Sequence, residues 1–277
     1  MKKTWLITGT STGLGRLMAE KLLARGDSVV ATLRQPEKLS ALQSRYRQQL
    51  HLLALDVTDT AQMRAAIAAA FAWAGKIDVV VSNAGYGLFG AAEELSDTQI
   101  ARQIATNLTG SVQLIRAVLP FLRAQGGGRI MQVSSEGGQI AYPDFSLYHA
   151  SKWGIEGFIE AVAQEVAEFG IDFIIAEPGP TATHFAASLD QAEAMPCYAN
   201  TAAGRMRQAL TSGEFKVTGD ADKTVAAMID CADEQHPPLR LPLGSTAFFN
   251  IRQALTDRLQ ALEACKQRAC STDVQQE

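Results

Sequence analysis

Over the first 180 or so residues, short apolar runs alternate with longer stretches whose apolar positions recur at helical spacing. WLIT, SVVATL, HLLAL, VVVS, RIMQVS and DFIIAE hold four to six residues each, rich in Val, Ile and Leu. They are too short and too uniformly apolar for helices and predict strands buried on both faces. Between them, LGRLMAEKLLARG reads as a helix stopped by Gly26, a C-cap candidate. TAQMRAAIAAAFAWAG reads as another, with Asp59 or Thr60 as N-cap and Gly75 as its stop. Repeated strand–helix–strand units predict an α/β fold: a doubly wound, mostly parallel sheet with helices on both faces, three layers in all. PPLRLPLG makes a seventh strand, and Pro237, Pro238 and Pro242 assign it to an edge.

The rhythm breaks over about 185–217, which predicts one or two loose helices over a site. The stretch 245–270, with Phe248, Phe249, Ile251, Leu255, Leu259 and Leu262, predicts an amphipathic terminal helix packed on its own domain. No repeat or linker divides the chain, so 1–277 is expected to be one domain.

Composition changes this picture little. A 47% hydrophobic share with 19% charged residues is that of an ordinary globular chain. The net charge of −4, without a basic cluster, argues against nucleic acid as a partner. No stretch approaches the roughly 18 apolar residues of a membrane span. MKKTWLITGT lacks the apolar run of a signal peptide. Cys197, Cys231, Cys265 and Cys270 have no zinc-type spacing, so no metal is expected, and reduced thiols in a cytoplasmic protein are the plain reading.

Three sequence features carry chemistry. TGTSTGLG, with Gly9, Gly13 and Gly15, lies between a predicted strand and helix, where a glycine-rich turn lets backbone N–H groups approach a pyrophosphate. YHASK places Tyr148 and Lys152 one helical turn apart. A phenol titrates near ~10, and an ammonium nearby stabilises the phenolate. VVATLRQ ends the second strand with Leu33 where an acid would bind a ribose 2′-hydroxyl, followed by Arg34, which suits a 2′-phosphate. Taken alone, a Tyr-x-x-x-Lys pair is an ordinary exposed pair, and Arg34 a solvated loop cation.

The TGxxxGxG turn and YxxxK together resemble the short-chain dehydrogenase/reductase family, in its compact single-domain, Rossmann-like branch. SNAG at 82–85 (with Ser82 where the family usually has Asn), Asn107 in ATNLTG, QVSSEGG and EPGPTAT recur in the family's order. The resemblance implies that Tyr148 transfers the proton, Lys152 tunes it and bonds the nicotinamide ribose, Ser135 holds the substrate oxygen, and Asn107 anchors a water relay. Ser134 is the neighbouring serine, but adjacent strand-end residues point oppositely, and the family's spacing selects Ser135. The cofactor would contact Gly9, Ser11, Thr12, Gly13, Leu14, Gly15, Arg34, Asp56, Val57, Asn83, Ala84, Gly85, Pro178, Gly179, Thr181 and Thr183, as well as Tyr148 and Lys152. Thr183 would bond the carboxamide, and Asp56 and Val57 the adenine.

Arg34 favours NADP(H) over NAD(H), although Thr12 stands where many NADP-preferring relatives have a second basic residue. His149 and His184 read as structural or substrate-lining, Glu136 and Asp144 as solvated loop charges. The expected function is interconversion of a secondary alcohol and a ketone on an apolar, steroid-, retinoid- or ketone-like molecule. A 3-oxoacyl reductase, a non-catalytic NADP(H)-binding redox sensor and an epimerase or dehydratase are the alternatives. Phe185, Met195, Tyr198 and Met206 are expected on one side of the substrate, Tyr86, Phe89, Tyr142 and Phe145 on the other. Relatives of this type assemble as dimers or tetramers through helices, so a homodimer or homotetramer is expected.

Overall fold

In a computed structural model, which describes residues 2–183 and 185–274, the predicted strands form one seven-stranded sheet. Its first half contains β1 (Thr4–Thr8), α1 (Gly13–Arg25), β2 (Ser28–Leu33), α2 (Ser40–Arg45), β3 (Leu50–Ala54), α3 (Thr60–Ala74) and β4 (Val79–Ser82). A two-residue strand β5 (Leu88–Phe89) and α4 (Asp97–Ile104) lead through a π-helical turn, Ala105–Thr109, into α5 (Gly110–Ala124). Next come β6 (Gly128–Val133), α6 (Ser146–Val166), β7 (Ile171–Pro178), β8 (Asp190–Gln191) and α7 (Ala202–Ser212). The chain continues with α8 (Ala221–Asp233), β9 (Arg240–Leu243), α9 (Ser245–Ala264) and α10 (Lys266–Cys270).

The sheet order is β3-β2-β1-β4-β6-β7-β9, and every pairing is parallel, so the mostly parallel sheet expected from the sequence is wholly parallel. The chain starts in the middle, winds out to β3 and returns to β4. That reversal between β1 and β4 opens a crevice at the carboxyl ends of the strands, the usual ligand position in such sheets.

Strand alternation explains the two cores. In β1, Trp5 and Ile7 join one cluster with Val29 and Ala31, while Leu6 joins the opposite one with Val30 and Val80. The helix punctuation falls as expected. Gly26 caps α1 at φ 94°, a conformation costly for other residues, and the Asp59 carboxylate accepts from the Ala61 and Gln62 N–H groups at 2.9 Å.

Two features depart from the expectation. A second parallel pair joins β5 to β8, with Leu88 opposite Asp190 and Phe89 opposite Gln191. Two-residue strands carry no periodicity to detect. The terminal helix forms, but its apolar face is not packed on the domain. Only Ala247 and Ile251 are buried in α9, whereas Phe248, Phe249, Leu255, Leu259 and Leu262 are exposed. At about 30 Å, a 20-residue helix outruns the four-residue edge strand beside it.

The 185–217 segment is tied down by Arg102 on Asp190, by Glu93 on Tyr198 and by Glu94. The Glu94 carboxylate accepts from Arg207 of α7 at 2.5 Å and from the Met195 N–H at 2.8 Å. Among the described residues, no helix is long and apolar enough to cross a membrane.

Candidate active site

The glycine turn after β1 owes its shape to contacts with the chain after β4. Gly9 (φ 71°) lies so close to the SNAG segment that a Cβ would stand 2.8 Å from the Ala84 Cα. A Cβ on Gly15 would collide with the Asn83 amide. The Asn83 side chain in turn donates to the Thr8 and Gly9 carbonyls at 2.9 and 3.1 Å. These two glycines are therefore required by loop-on-loop packing, which fixes the path of the turn. Gly13 (φ 61°) faces open space at the start of α1.

Beyond this turn runs a cleft of about 970 Å³ along the carboxyl ends of β1, β2, β3, β4, β6 and β7. Its wall includes Gly9, Ser11, Thr12, Gly13, Leu14, Arg34, Asp56, Val57, Asn83, Ala84, Gly85, Pro178, Gly179, Thr181 and Thr183 from the expected cofactor set. Gly15 and Asn107 stand behind the wall rather than on it. Arg34 is exposed at one end and makes no ion pair among the described residues. Its charge and two Thr58 hydrogen bonds hold the facing Asp56 below the usual carboxylate range, with the bonds dominant. Open space beside Gly13, a helix N-terminus and a cation at the far end suit a phosphorylated dinucleotide.

At the other end, Ser135, Tyr148 and Lys152 meet where β6 runs toward α6. Ser134 Oγ donates to Glu156 Oε1 at 2.5 Å, while Ser135 Oγ accepts from the Gly137 N–H at 3.0 Å and lies beside Tyr148. Lys152 Nζ stands 5.6 Å from the Tyr148 ring centroid and donates to the Val133 carbonyl at 2.9 Å. Burial pushes the phenol up to about 12, against the pull of the Ser135 hydroxyl. Burial also brings Lys152 down to about 8, opposed by the Glu156 charge. Desolvation is the largest cause for both groups, and both move toward neutrality.

Asn107 sits in the π-helical turn, a distortion common at functional sites. Its amide donates to the Tyr86 carbonyl at 2.8 Å and to Ser151 Oγ at 3.4 Å, and its Oδ1 accepts from the Tyr86 N–H at 3.1 Å. The side chain thus ties the chain that follows SNAG to α6.

Several expectations need correction. Glu136 is not a solvated charge: it is 3% exposed, bonded to the Tyr142 hydroxyl and the Asn250 amide, and burial raises its pKa. Asp144 is likewise buried, in a left-handed backbone conformation (φ 67°), with neither carboxylate oxygen hydrogen-bonded. Desolvation pushes it up to about 6. Both lie in a loop whose burial depends on distant chain. His149 is structural as well as cleft-lining. Its Nε2 accepts from the Tyr142 N–H at 2.8 Å, so Nδ1 carries the hydrogen given to the Gly137 carbonyl. Burial lowers its pKa. His184 lies outside the described residues.

On the substrate side, Phe185 packs on Tyr148 with ring centroids 5.6 Å apart, and Tyr86, Tyr142 and Phe145 also face the cleft. Met195, Tyr198, Met206 and Phe89 do not line it; Leu189, Leu210, Phe215 and Val217 do. Phe89 is buried behind Phe145. The sequence reading also passed over Glu156, Glu177 and Arg240. Arg240 donates to Glu156 at 2.6 Å and to Glu177 at 2.5 Å beneath the Ser134 turn. Glu156 follows Lys152 by the same four-residue step that separates Lys152 from Tyr148, a signal that could have found it.

The family model described as short chain dehydrogenase matches residues 3–194. The Oxidoreductase BOA17 of Botryotinia fuckeliana is 39% identical over 248 residues, covering 89% of this chain and 90% of that protein. Among solved structures, a short-chain dehydrogenase from Streptomyces avermitilis superposes with a TM-score of 0.91 at 36% identity, over 98% of each chain. ElxO, solved with NADP bound, superposes with a TM-score of 0.72 at 25% identity, over 88% of this chain and 97% of its own.

Proposed function

This chain belongs to the short-chain dehydrogenase/reductase family, and from that premise we propose that it is an NADP(H)-dependent oxidoreductase interconverting a secondary alcohol and a ketone on an apolar small molecule. The observation that carries the reading is the meeting of Ser135, Tyr148 and Lys152 in a cleft whose other end presents the glycine turn and Arg34. The nicotinamide supplies or accepts the hydride.

In the reducing direction the Ser135 hydroxyl hydrogen-bonds the ketone oxygen and fixes the carbonyl. The Tyr148 phenol, kept protonated by its burial, donates its proton as negative charge develops on that oxygen. The Lys152 ammonium stabilises the phenolate left behind. In the oxidising direction the same groups act in reverse. The side chain of Asn107 holds the turn at 84–86 in register with this trio, and Asn107 is assigned the relay water. Thr183 is assigned to the carboxamide and Arg34 to the 2′-phosphate. Leu33, apolar and buried, offers no acid to repel that phosphate.

The test is a panel of apolar ketones and secondary alcohols assayed with NADPH and NADH, following reduced nicotinamide. Turnover of at least one ketone, with kcat/KM higher for NADPH, is expected. Cofactor binding without turnover of any member would instead favour the non-catalytic sensor.

A further inference from the structure

Buried carboxylates in this fold are, as a rule, matched with arginine. Asp27 has Arg25, Glu94 has Arg207, and Glu156 and Glu177 share Arg240. Glu136 departs from the rule. It is as buried as those groups, and among the described residues it makes no ion pair. Its partners are two neutral donors, the Tyr142 hydroxyl at 2.9 Å and the Asn250 amide at 3.2 Å. Asn250 also donates to the Tyr142 hydroxyl at 2.9 Å, fixing both acceptors in place. Asp144 too lacks an arginine contact, but it is not on the cleft wall; Glu136 is, one residue after Ser135.

A carboxylate taken out of water without a counter-charge is costly. Lys152 and Arg258 donate to the Val133 and Gln139 carbonyls, and neither is bonded to Glu136. The surroundings of Glu136 suit a cation. The Tyr142 ring, whose hydroxyl holds Glu136, meets Phe215 edge-on at 6.4 Å, and both rings line the cleft together with Phe145 and Tyr148. Aromatic faces attract ammonium groups, most strongly where water is excluded.

We infer that Glu136, held by Tyr142 and Asn250, is the binding group for a substrate ammonium, which makes the substrate an amino ketone or its amino alcohol. This deepens the function proposed above and rests on it. Asn250 and Tyr142 are positioning residues: one brings α9 against the site, and the other presents the carboxylate to the cleft. The remaining wall, Phe185, Leu189, Leu210 and Val217, takes the hydrocarbon portion.

The experiment uses three ketones of one apolar skeleton that differ at a single remote position. One bears a dimethylammonium, one the isosteric isopropyl group, one a hydroxyl. Each is assayed for kcat/KM with the purified full chain and saturating NADPH. A charged hydrogen bond in a dry site predicts at least about a tenfold preference for the ammonium ketone over the isopropyl ketone. Glu136→Gln is expected to collapse that ratio toward one, with its NADPH affinity measured alongside to show that the variant folds. The wild-type ratio stands by itself if the variant does not fold. Turnover of the isopropyl or hydroxyl ketone as efficient as that of the ammonium ketone would overturn the ammonium subsite and leave the proposed reaction standing. No turnover of any of the three with either cofactor, with NADPH bound, would overturn the proposed reaction and the subsite with it.

Discussion

The two ends of the cleft are made differently. The cofactor end is built from backbone: the positive φ at Gly9 and Gly13, the N-terminus of α1, and the Asn83 amide joining two loops that follow adjacent strands. The substrate end is built from side chains brought together across long stretches of sequence. Glu94 reaches Arg207, Arg102 reaches Asp190, and Asn250 reaches Glu136, the partners standing 88 to 114 residues apart. A backbone cradle accepts one kind of ligand and tolerates little change. A side-chain enclosure can be altered residue by residue, which is where substrate choice resides. Tyr148, Lys152 and Ser135 stand at the boundary of the two.

Removing the charge that serves both ends has the largest expected effect. Lys152→Met should lower kcat by about 10²–10⁴-fold, because proton transfer from Tyr148 loses the charge that stabilises its phenolate, and should also weaken NADPH binding. A variant with near-native kcat would place the proton path elsewhere. In the native protein, burial lowers Lys152 to about 8, so its ammonium is lost as pH rises through that value. The kcat/KM for NADPH, which reports the free enzyme, should fall on the alkaline side with a midpoint near 8.

At the cofactor end alone, Arg34→Leu should lower the NADPH-to-NADH ratio of kcat/KM by about 10–100-fold, the worth of a charged phosphate contact. A ratio that stays put would show that Arg34 does not read the 2′-phosphate. The ketone KM should be nearly unaffected, which is how the two ends are told apart.

At the substrate end, Arg207→Ala leaves Glu94 buried without its cation and loosens the 185–217 segment. Amide exchange in that segment should accelerate by about tenfold or more, with a rise in ketone KM and little change in NADPH affinity. Equal loss of both affinities would mean that the ends are not separate.

The smallest effect concerns the loop before α6. Asp144 has its pKa raised to about 6 from 3.8, so the folded state holds a proton that the unfolded chain has released between those values. Stability therefore falls as pH rises from about 4 to 6, and the full penalty applies above that. Asp144→Asn keeps the shape, tolerates the positive φ and removes the penalty. It should raise stability at pH 8 by about 1 kcal/mol and leave it little changed near pH 4. Equal stabilisation at both pH values would argue against a desolvated carboxyl.

The difference between the ends also explains what could be read from the sequence. The seven strands, the caps at Asp59 and Gly26 and the edge position of β9 follow from local apolar runs and turn residues, and so does the glycine turn. The meeting of Tyr148 with Ser135 could be anticipated from family spacing. Glu136 and Asp144 were misjudged because the chain that surrounds them is distant in sequence, α9 in the first case and the Glu94–Arg207 region in the second. Met195 and Tyr198 were expected in the cleft on apolar and aromatic character. In the structure the Met195 N–H and the Tyr198 hydroxyl are instead bonded to Glu94 and Glu93. The apolar face of α9 shows the converse: its periodicity marks a helix correctly without saying whether anything covers it.

The most direct test of the central claim is Tyr148→Phe, which removes one oxygen and leaves the ring on Phe185 and Lys152. NADPH affinity and the rate of ketone reduction should be measured on the same preparation. The account predicts NADPH binding within about threefold of the native protein and turnover lower by about 10³-fold or more. A variant that binds NADPH and still reduces the ketone at a substantial fraction of the native rate would contradict it.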